Sequence, residues 1–107
     1  MNWKAKPPMS DENSQLIADA IRTVKHPAID LSLVELGIVR RFSVHGTSVH
    51  VEFAWPFQGI PIRDQLILSV KSPVEKLGAQ MTFSEDIMSN EERQKFLMLE
   101  QMAWRGL

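Results

Sequence analysis

The three histidines are the side chains in this sequence best suited to act as a general base or a metal ligand. His26 stands before a proline at a predicted helix end, His45 lies in a predicted hairpin turn, and His50 lies on the outer face of a predicted strand. None of these positions gives two histidines a ligand spacing such as i, i+4 on one helix. We therefore expect structural roles, in which His26 complements a helix C-terminus and His45 adopts the left-handed conformation of a tight turn.

Other catalytic patterns are missing from the sequence. It contains no cysteine, which excludes a thiolate nucleophile, a cysteine metal site and a disulfide. The five glycines form neither a dinucleotide-binding G-x-G-x-x-G motif nor a Walker A loop, and no serine lies in a nucleophile elbow. Glu85-Asp86 is an adjacent acidic pair near a strand end, where neighbouring side chains point apart, so solvated carboxylates are expected. The sequence thus indicates a protein that is not an enzyme and binds no cofactor directly.

Size and charge are typical of one soluble domain. The chain has 107 residues, of which 44% are hydrophobic and 23% charged. A formal net charge of -1 provides no field to attract nucleic acid or an anionic membrane, and no apolar window is long enough to span a bilayer. Without cysteine or a secretion signal, a cytoplasmic location is expected. We predict a flexible tail over residues 1–9 and a single domain over residues 10–107.

Hydrophobic periodicity and turn residues predict three helices and three strands. The first helix covers 11–25 after the N-cap Ser10, and two strands follow within 38–54. The second helix runs from Pro61 to Gly78 and is kinked but unbroken at Pro73. A strand over 79–84 comes next, and the last helix runs from the capping box Ser89–Glu92 to Trp104. A short helical turn closed by Gly37 precedes the first strand. The order α-β-β-α-β-α predicts a two-layer α/β (α+β) fold with a small, mixed three-stranded sheet covered by helices.

The register of the hairpin can be predicted from its apolar residues. A two-residue loop at His45-Gly46 pairs Phe42 with Val49 and Ile38 with Phe53, whereas a three-residue loop would bury Ser48 and His50. Arg40 then falls on the apolar face, where we expect its stem to pack and its charged end to reach solvent.

Two stretches are candidate interaction sites. The first, which we call the site loop, follows a strand and precedes a helix, the position where α/β folds build sites, and consists of Trp55, Pro56, Phe57, Gln58, Gly59, Ile60 and Pro61. Its aromatic side chains could equally close the end of the small core.

The second stretch is the last helix, whose apolar residues surround most of its circumference: Phe96, Leu97, Met98, Leu99, Met102, Ala103 and Trp104. One sheet face cannot cover them all, so we expect a partner protein or a second copy in a homodimer to cover an interface of Phe96, Met98, Leu99, Met102 and Trp104. The alternative is that these side chains only shield the rim of a small core.

Several motifs in order give the chain a family resemblance. They are Ile21…Val24…His26-Pro27, Leu33-Val34-Glu35-Leu36-Gly37-Ile38-Val39, Pro61-Ile62-Arg63-Asp64-Gln65-Leu66 and Lys76-Leu77-Gly78. Over roughly residues 14–84 the chain resembles the small iron–sulfur cluster assembly domain, which occurs alone in SufT-like and PaaD-like proteins and at the N-terminus of Mrp/ApbC-type carrier ATPases. The resemblance implies the fold predicted above.

The chain departs from the family pattern at the positions where the family has two acidic residues and a reactive cysteine. The family has Asp-Pro-Glu where this chain has His26-Pro27-Ala28, and the place of its reactive cysteine falls on Ile60, or on Gln58 by an ungapped count. The resemblance therefore implies a non-enzymatic accessory protein that contacts iron–sulfur carrier or target proteins and is linked to clusters only indirectly. A small structural or regulatory subunit of another complex, such as a PaaD-like oxygenase accessory, is the alternative.

Overall fold

The computed structural model describes residues 8–105, in which three helices and three strands follow the predicted order. They are α1 (Pro8–Arg22), β1 (Val39–His45), β2 (Ser48–Trp55), α2 (Arg63–Lys76), β3 (Gln80–Ile87) and α3 (Asn90–Ala103). Helix α1 begins before the predicted N-cap Ser10 and ends three residues early. Residues 1–7 of the predicted tail lie outside the described part of the chain, and residues 8 and 9 belong to α1.

The sheet has the predicted mixed topology, which makes this an α+β fold. Its strand order is β1-β2-β3, with β2 antiparallel to β1 and parallel to β3. The hairpin loop is Gly46-Thr47, one residue later than predicted, because His45 pairs with Ser48. Phe42 consequently lies opposite Val51 instead of Val49, a shift of two residues that leaves Phe42 and Val44 on the predicted apolar face. Gly46, with φ +62, adopts the left-handed conformation that we expected of His45.

A β-bulge interrupts the hairpin at Arg40. Val39 pairs with Phe53 and Arg41 pairs with Glu52, so β1 has one extra residue at this point. The guanidinium groups of both Arg40 and Arg41 contact Glu52, which places them on the polar face of the sheet. The prediction that Arg40 packs on the apolar face is therefore wrong, because the bulge breaks the alternation on which it depended.

The core lies between the apolar face of the sheet and helices α1 and α2, which also contact each other. Its fully buried side chains include Ile17 and Ile21 of α1, Val70 and Val74 of α2, and Val49, Val51 and Phe53 of β2. Leu16 and Leu77 have the helical spacing of core residues, but they are exposed by 56% and 37%. Helix α2 begins at Arg63, two residues after the predicted start at Pro61, and continues through Pro73 as predicted.

Helix α3 begins at the predicted capping box and is attached to the segment between α1 and β1. Ser89 Oγ accepts a hydrogen bond from the Glu92 amide, and the Glu92 carboxylate accepts one from the Ser89 amide. At the other end, the Asp30 amide donates to the Ala103 carbonyl at 2.9 Å, and the Arg105 amide donates to the Ala28 carbonyl at the same distance. The helix is thus held at both ends. None of the helices within residues 8–105 is long and apolar enough to cross a membrane.

Candidate functional site

The site loop connects β2 to α2, and its two aromatic side chains have different environments. Trp55 is 5% exposed and stacks on Phe53, with ring centroids 5.2 Å apart. Phe57 is 48% exposed. Trp55 therefore closes the core end, as the packing alternative predicts, whereas Phe57 is presented at the surface. Gly59, with φ +70, allows the sharp turn that follows.

Arg93 joins the site loop to α3. Its Nε donates to the Pro56 carbonyl at 2.8 Å, and its Nη2 donates to the Met88 carbonyl at 3.1 Å. Its guanidinium carbon also lies 5.8 Å from the centroid of the Phe57 ring, a cation–π distance. The loop and the start of α3 thus form one connected surface. Sequence reasoning missed Arg93 because nothing local indicates that a helical arginine will reach a carbonyl 37 positions away.

A cavity of about 390 Å³, which we call the Glu85 cavity, lies beside the site loop. Its charged lining residues are Arg63, Glu85 and Asp86. The Arg63 and Glu85 side chains form a two-pronged ion pair, with Nε and Oε1 2.5 Å apart. Trp55 Nε1 also donates to Glu85 Oε1 at 2.9 Å. The Arg63 hydrogen bonds are the main cause that lowers the pKa of Glu85. Glu85 is therefore an ionised, fully engaged acceptor and not a free base.

Asp86 lies on the opposite face of β3 and belongs to an ion cluster, which we call the Arg40 cluster. Arg40 Nη1 contacts Glu52 at 2.9 Å and Asp86 at 3.0 Å, and its Nε and Nη2 both contact the Glu92 carboxylate at 2.9 Å. The hydrogen bonds from Arg40 lower the pKa of Asp86 and of Glu92. Glu85 and Asp86 point apart as predicted. The Asp86 side chain is 63% exposed, in agreement with the expected solvation, and both carboxylates are in addition engaged in ion pairs.

His26 lines a second cavity of about 270 Å³, which we call the His26 cavity, between the site loop and α3. Its Nδ1 accepts a hydrogen bond from the Ala28 amide at 2.9 Å, and burial lowers the pKa of its imidazole. The predicted role of His26 at the end of α1 is wrong, because α1 ends at Arg22 and the histidine side chain folds back onto its own loop. This contact mimics an Asx-turn, in which a side-chain acceptor binds the amide two residues ahead.

The other two histidines lie elsewhere. His50 is on the exposed face of the sheet, as predicted, with Nδ1 2.8 Å from Thr82 Oγ1 and Nε2 3.3 Å from Ser84 Oγ. His45 ends β1. Within residues 8–105 no group of three or more histidine and acidic side chains is arranged to hold a metal ion.

The predicted interface residues of α3 divide into a buried stripe and an exposed remainder. Phe96 is buried, and Leu99 and Ala103 pack partly against the core. The exposed fractions of the others are 40% for Leu97, 54% for Met98, 75% for Met102 and 55% for Trp104. The structure thus packs Phe96 in the core and Leu99 against it, and leaves Met98, Met102 and Trp104 each more than half exposed.

Comparisons with known proteins relate this arrangement to a family. No curated protein matches the chain. Among solved structures, it is similar to the crystal structure of a domain of unknown function, DUF59, from Bacillus anthracis, with a TM-score of 0.62 and 15% sequence identity over 85% of this chain and 94% of that chain. At this identity the likeness shows the fold. A family model described as iron-sulfur cluster assembly protein matches residues 14–82. Because that match covers more than half of the sequence, this chain belongs to the iron–sulfur cluster assembly protein family.

Proposed function

We propose that this chain is a non-enzymatic accessory protein of iron–sulfur cluster assembly that acts by contacting carrier or target proteins. The family suggests a role in cluster assembly. The observation that carries the mechanism is the exposed Phe57, whose ring lies at a cation–π distance from Arg93 at the junction of the site loop and α3. A large exposed aromatic ring beside an arginine is a typical anchor for a protein partner.

The side chains present support a role in contacting other proteins and not in sulfur transfer. The positions that correspond to the family thiol, Ile60 or Gln58, have no nucleophile, and the sequence contains no cysteine at all. Sulfur transfer and cluster ligation by thiolate both need one. A protein of this family without thiols can still position a carrier against its target. The same proposal places it in the cytoplasm, where cluster carriers work with reduced thiols, and includes a homodimer through the exposed residues of α3.

Site-specific photo-crosslinking in cells tests the proposal. A photoreactive phenylalanine at position 57 keeps an aromatic ring at the proposed contact, and the same amino acid at position 68 is the control, because Leu68 is 61% exposed but lies on α2. We expect position 57 to capture an iron–sulfur carrier or an iron–sulfur target protein, and position 68 to capture neither.

Two outcomes would contradict the proposal. Capture at position 57 of a complex without iron–sulfur proteins would favour the alternative, a structural subunit of another assembly. Reconstitution of the purified chain with iron and sulfide addresses the mechanism separately. An oxygen-sensitive chromophore on the protein alone would show that it binds clusters itself and is not only an adaptor.

A further inference from the structure

The His26 cavity has the size and lining of a small-molecule site. Its volume is about 270 Å³, and its walls include Ile38, Trp55, Leu66 and Phe96, all buried apolar residues. An engineered, enclosed apolar cavity of about 150 Å³ binds benzene, and the His26 cavity is larger but partly open to solvent. The cavity therefore accommodates a substituted benzene or a molecule of similar size.

A single polar side chain points to what such a molecule must carry. His26 is 9% exposed, and its Nδ1 accepts the Ala28 amide hydrogen, so the ring proton of the neutral imidazole is on Nε2. Among residues 8–105, the His26 side chain forms its hydrogen bond through Nδ1, which leaves Nε2–H without an acceptor from the described residues. The cavity is partly open, so solvent satisfies this donor in the free chain, and a ligand acceptor would replace that water.

Charge at the cavity selects against anions. Among the described residues, Glu100 is the one acidic side chain that lines it, and a carboxylate there repels a second negative charge. Burial lowers the pKa of His26, so the imidazole does not supply a compensating positive charge near neutral pH. A ligand that accepts a hydrogen bond without a negative charge satisfies both conditions.

We propose that the His26 cavity binds a neutral, mainly apolar small molecule with a carbonyl group, which accepts a hydrogen bond from His26 Nε2–H. The cavity walls provide the apolar contact, and the histidine provides the selectivity. The inference is independent of the proposed accessory function, because it requires no partner protein.

Nuclear magnetic resonance of the isotopically labelled chain tests the site with three probes at equal concentrations. Acetophenone has the carbonyl, α-methylstyrene has the same shape with a methylene group in place of the oxygen, and benzoate has a negative charge. We expect acetophenone to shift the resonances of the Trp55 indole and the His26 ring, with about tenfold tighter binding than α-methylstyrene because of the hydrogen bond. Benzoate should bind more weakly than acetophenone.

Two variants assign the effect to the named residues. His26→Asn keeps an acceptor for the Ala28 amide and removes the Nε2 donor, so acetophenone and α-methylstyrene should then bind equally. Glu100→Gln leaves His26 in place and should increase benzoate binding, which keeps the proposal testable if His26→Asn fails to fold. Absence of acetophenone binding, equal binding of the two neutral probes to the unmodified chain, or a ring proton on Nδ1 would each overturn the proposal.

Discussion

Arg40 shows most clearly how one residue connects distant parts of this chain. It lies in the bulge of β1, and its guanidinium contacts carboxylates from β2, β3 and α3. Its side chain is only 17% exposed, so solvent screens these pairs less than it screens ordinary surface ion pairs. The cluster therefore links all three strands of the sheet to the first turn of α3.

Replacing Arg40 should destabilise the fold markedly. Arg40→Met retains an unbranched stem but leaves three carboxylates without their shared cation, and we expect a loss of about 2 kcal/mol in the free energy of unfolding. Urea denaturation measures this loss. The neighbouring Arg41 is 72% exposed and contacts Glu52 at 3.4 Å, so Arg41→Met should cost less than about 0.5 kcal/mol. Equal losses in the two variants would show that the cluster contributes no more than ordinary surface charge.

The same cluster predicts an acid-dependent stability. Arg40 lowers the pKa of Asp86 from 3.8 and that of Glu92 from 4.5, so between the lowered and the ordinary values the unfolded chain binds more protons than the folded one. This stabilisation is complete above about pH 5 and is lost as the pH falls through the lowered pKa values. The difference in unfolding free energy between the unmodified chain and Arg40→Met should therefore shrink as the pH falls below about 5. A difference that stays constant over this range would contradict the assignment.

At the scale of elements, the sequence predicted the order and type of every helix and strand, and it was least accurate where tertiary contacts set the boundaries. The capping box at Ser89 was correct because it is a local motif. The predicted hairpin register was wrong by two residues, because alternation alone cannot distinguish a loop at His45-Gly46 from one at Gly46-Thr47. The bulge at Arg40 was also missed, because the regular alternation carries no signal for an extra residue and the carboxylates that Arg40 contacts are distant in the sequence.

The capping box also stabilises the first turn of α3. Ser89→Ala removes the side-chain acceptor for the Glu92 amide, and we expect a loss of about 1 kcal/mol in stability, measured by urea or thermal denaturation. Ser89→Asp retains an N-cap acceptor and should restore most of that loss. If both substitutions lower stability equally, α3 depends on its packing and its C-terminal attachment, not on the cap.

At the scale of the whole molecule, one face of the sheet is polar, whereas exposed apolar side chains occur on all three helices. The outer face of the sheet presents His50, Thr82 and Ser84. Exposed apolar side chains include Leu16 of α1, Leu68 of α2, Met102 of α3 and Phe57 of the site loop. Sequence reasoning selected the site loop and α3 but could not tell their buried aromatic residues from their exposed ones. That distinction depends on which face of each element meets the core, as Trp55 and Phe57 show. The His26 cavity was also missed, because its walls come from segments far apart in the sequence.

The exposed residues of α3 predict self-association that one charge should disrupt. Met102 is 75% exposed and Met98 lies one turn before it, so a dimer that buries both would be destabilised by a glutamate at the centre of the contact. We expect sedimentation velocity to show dimers of the unmodified chain and monomers of Met102→Glu. Leu16→Glu is the matched control, since Leu16 is 56% exposed on α1, and it should remain dimeric. If the unmodified chain sediments as a monomer, the homodimer is excluded and the apolar residues of α3 must be covered by a different protein or remain exposed.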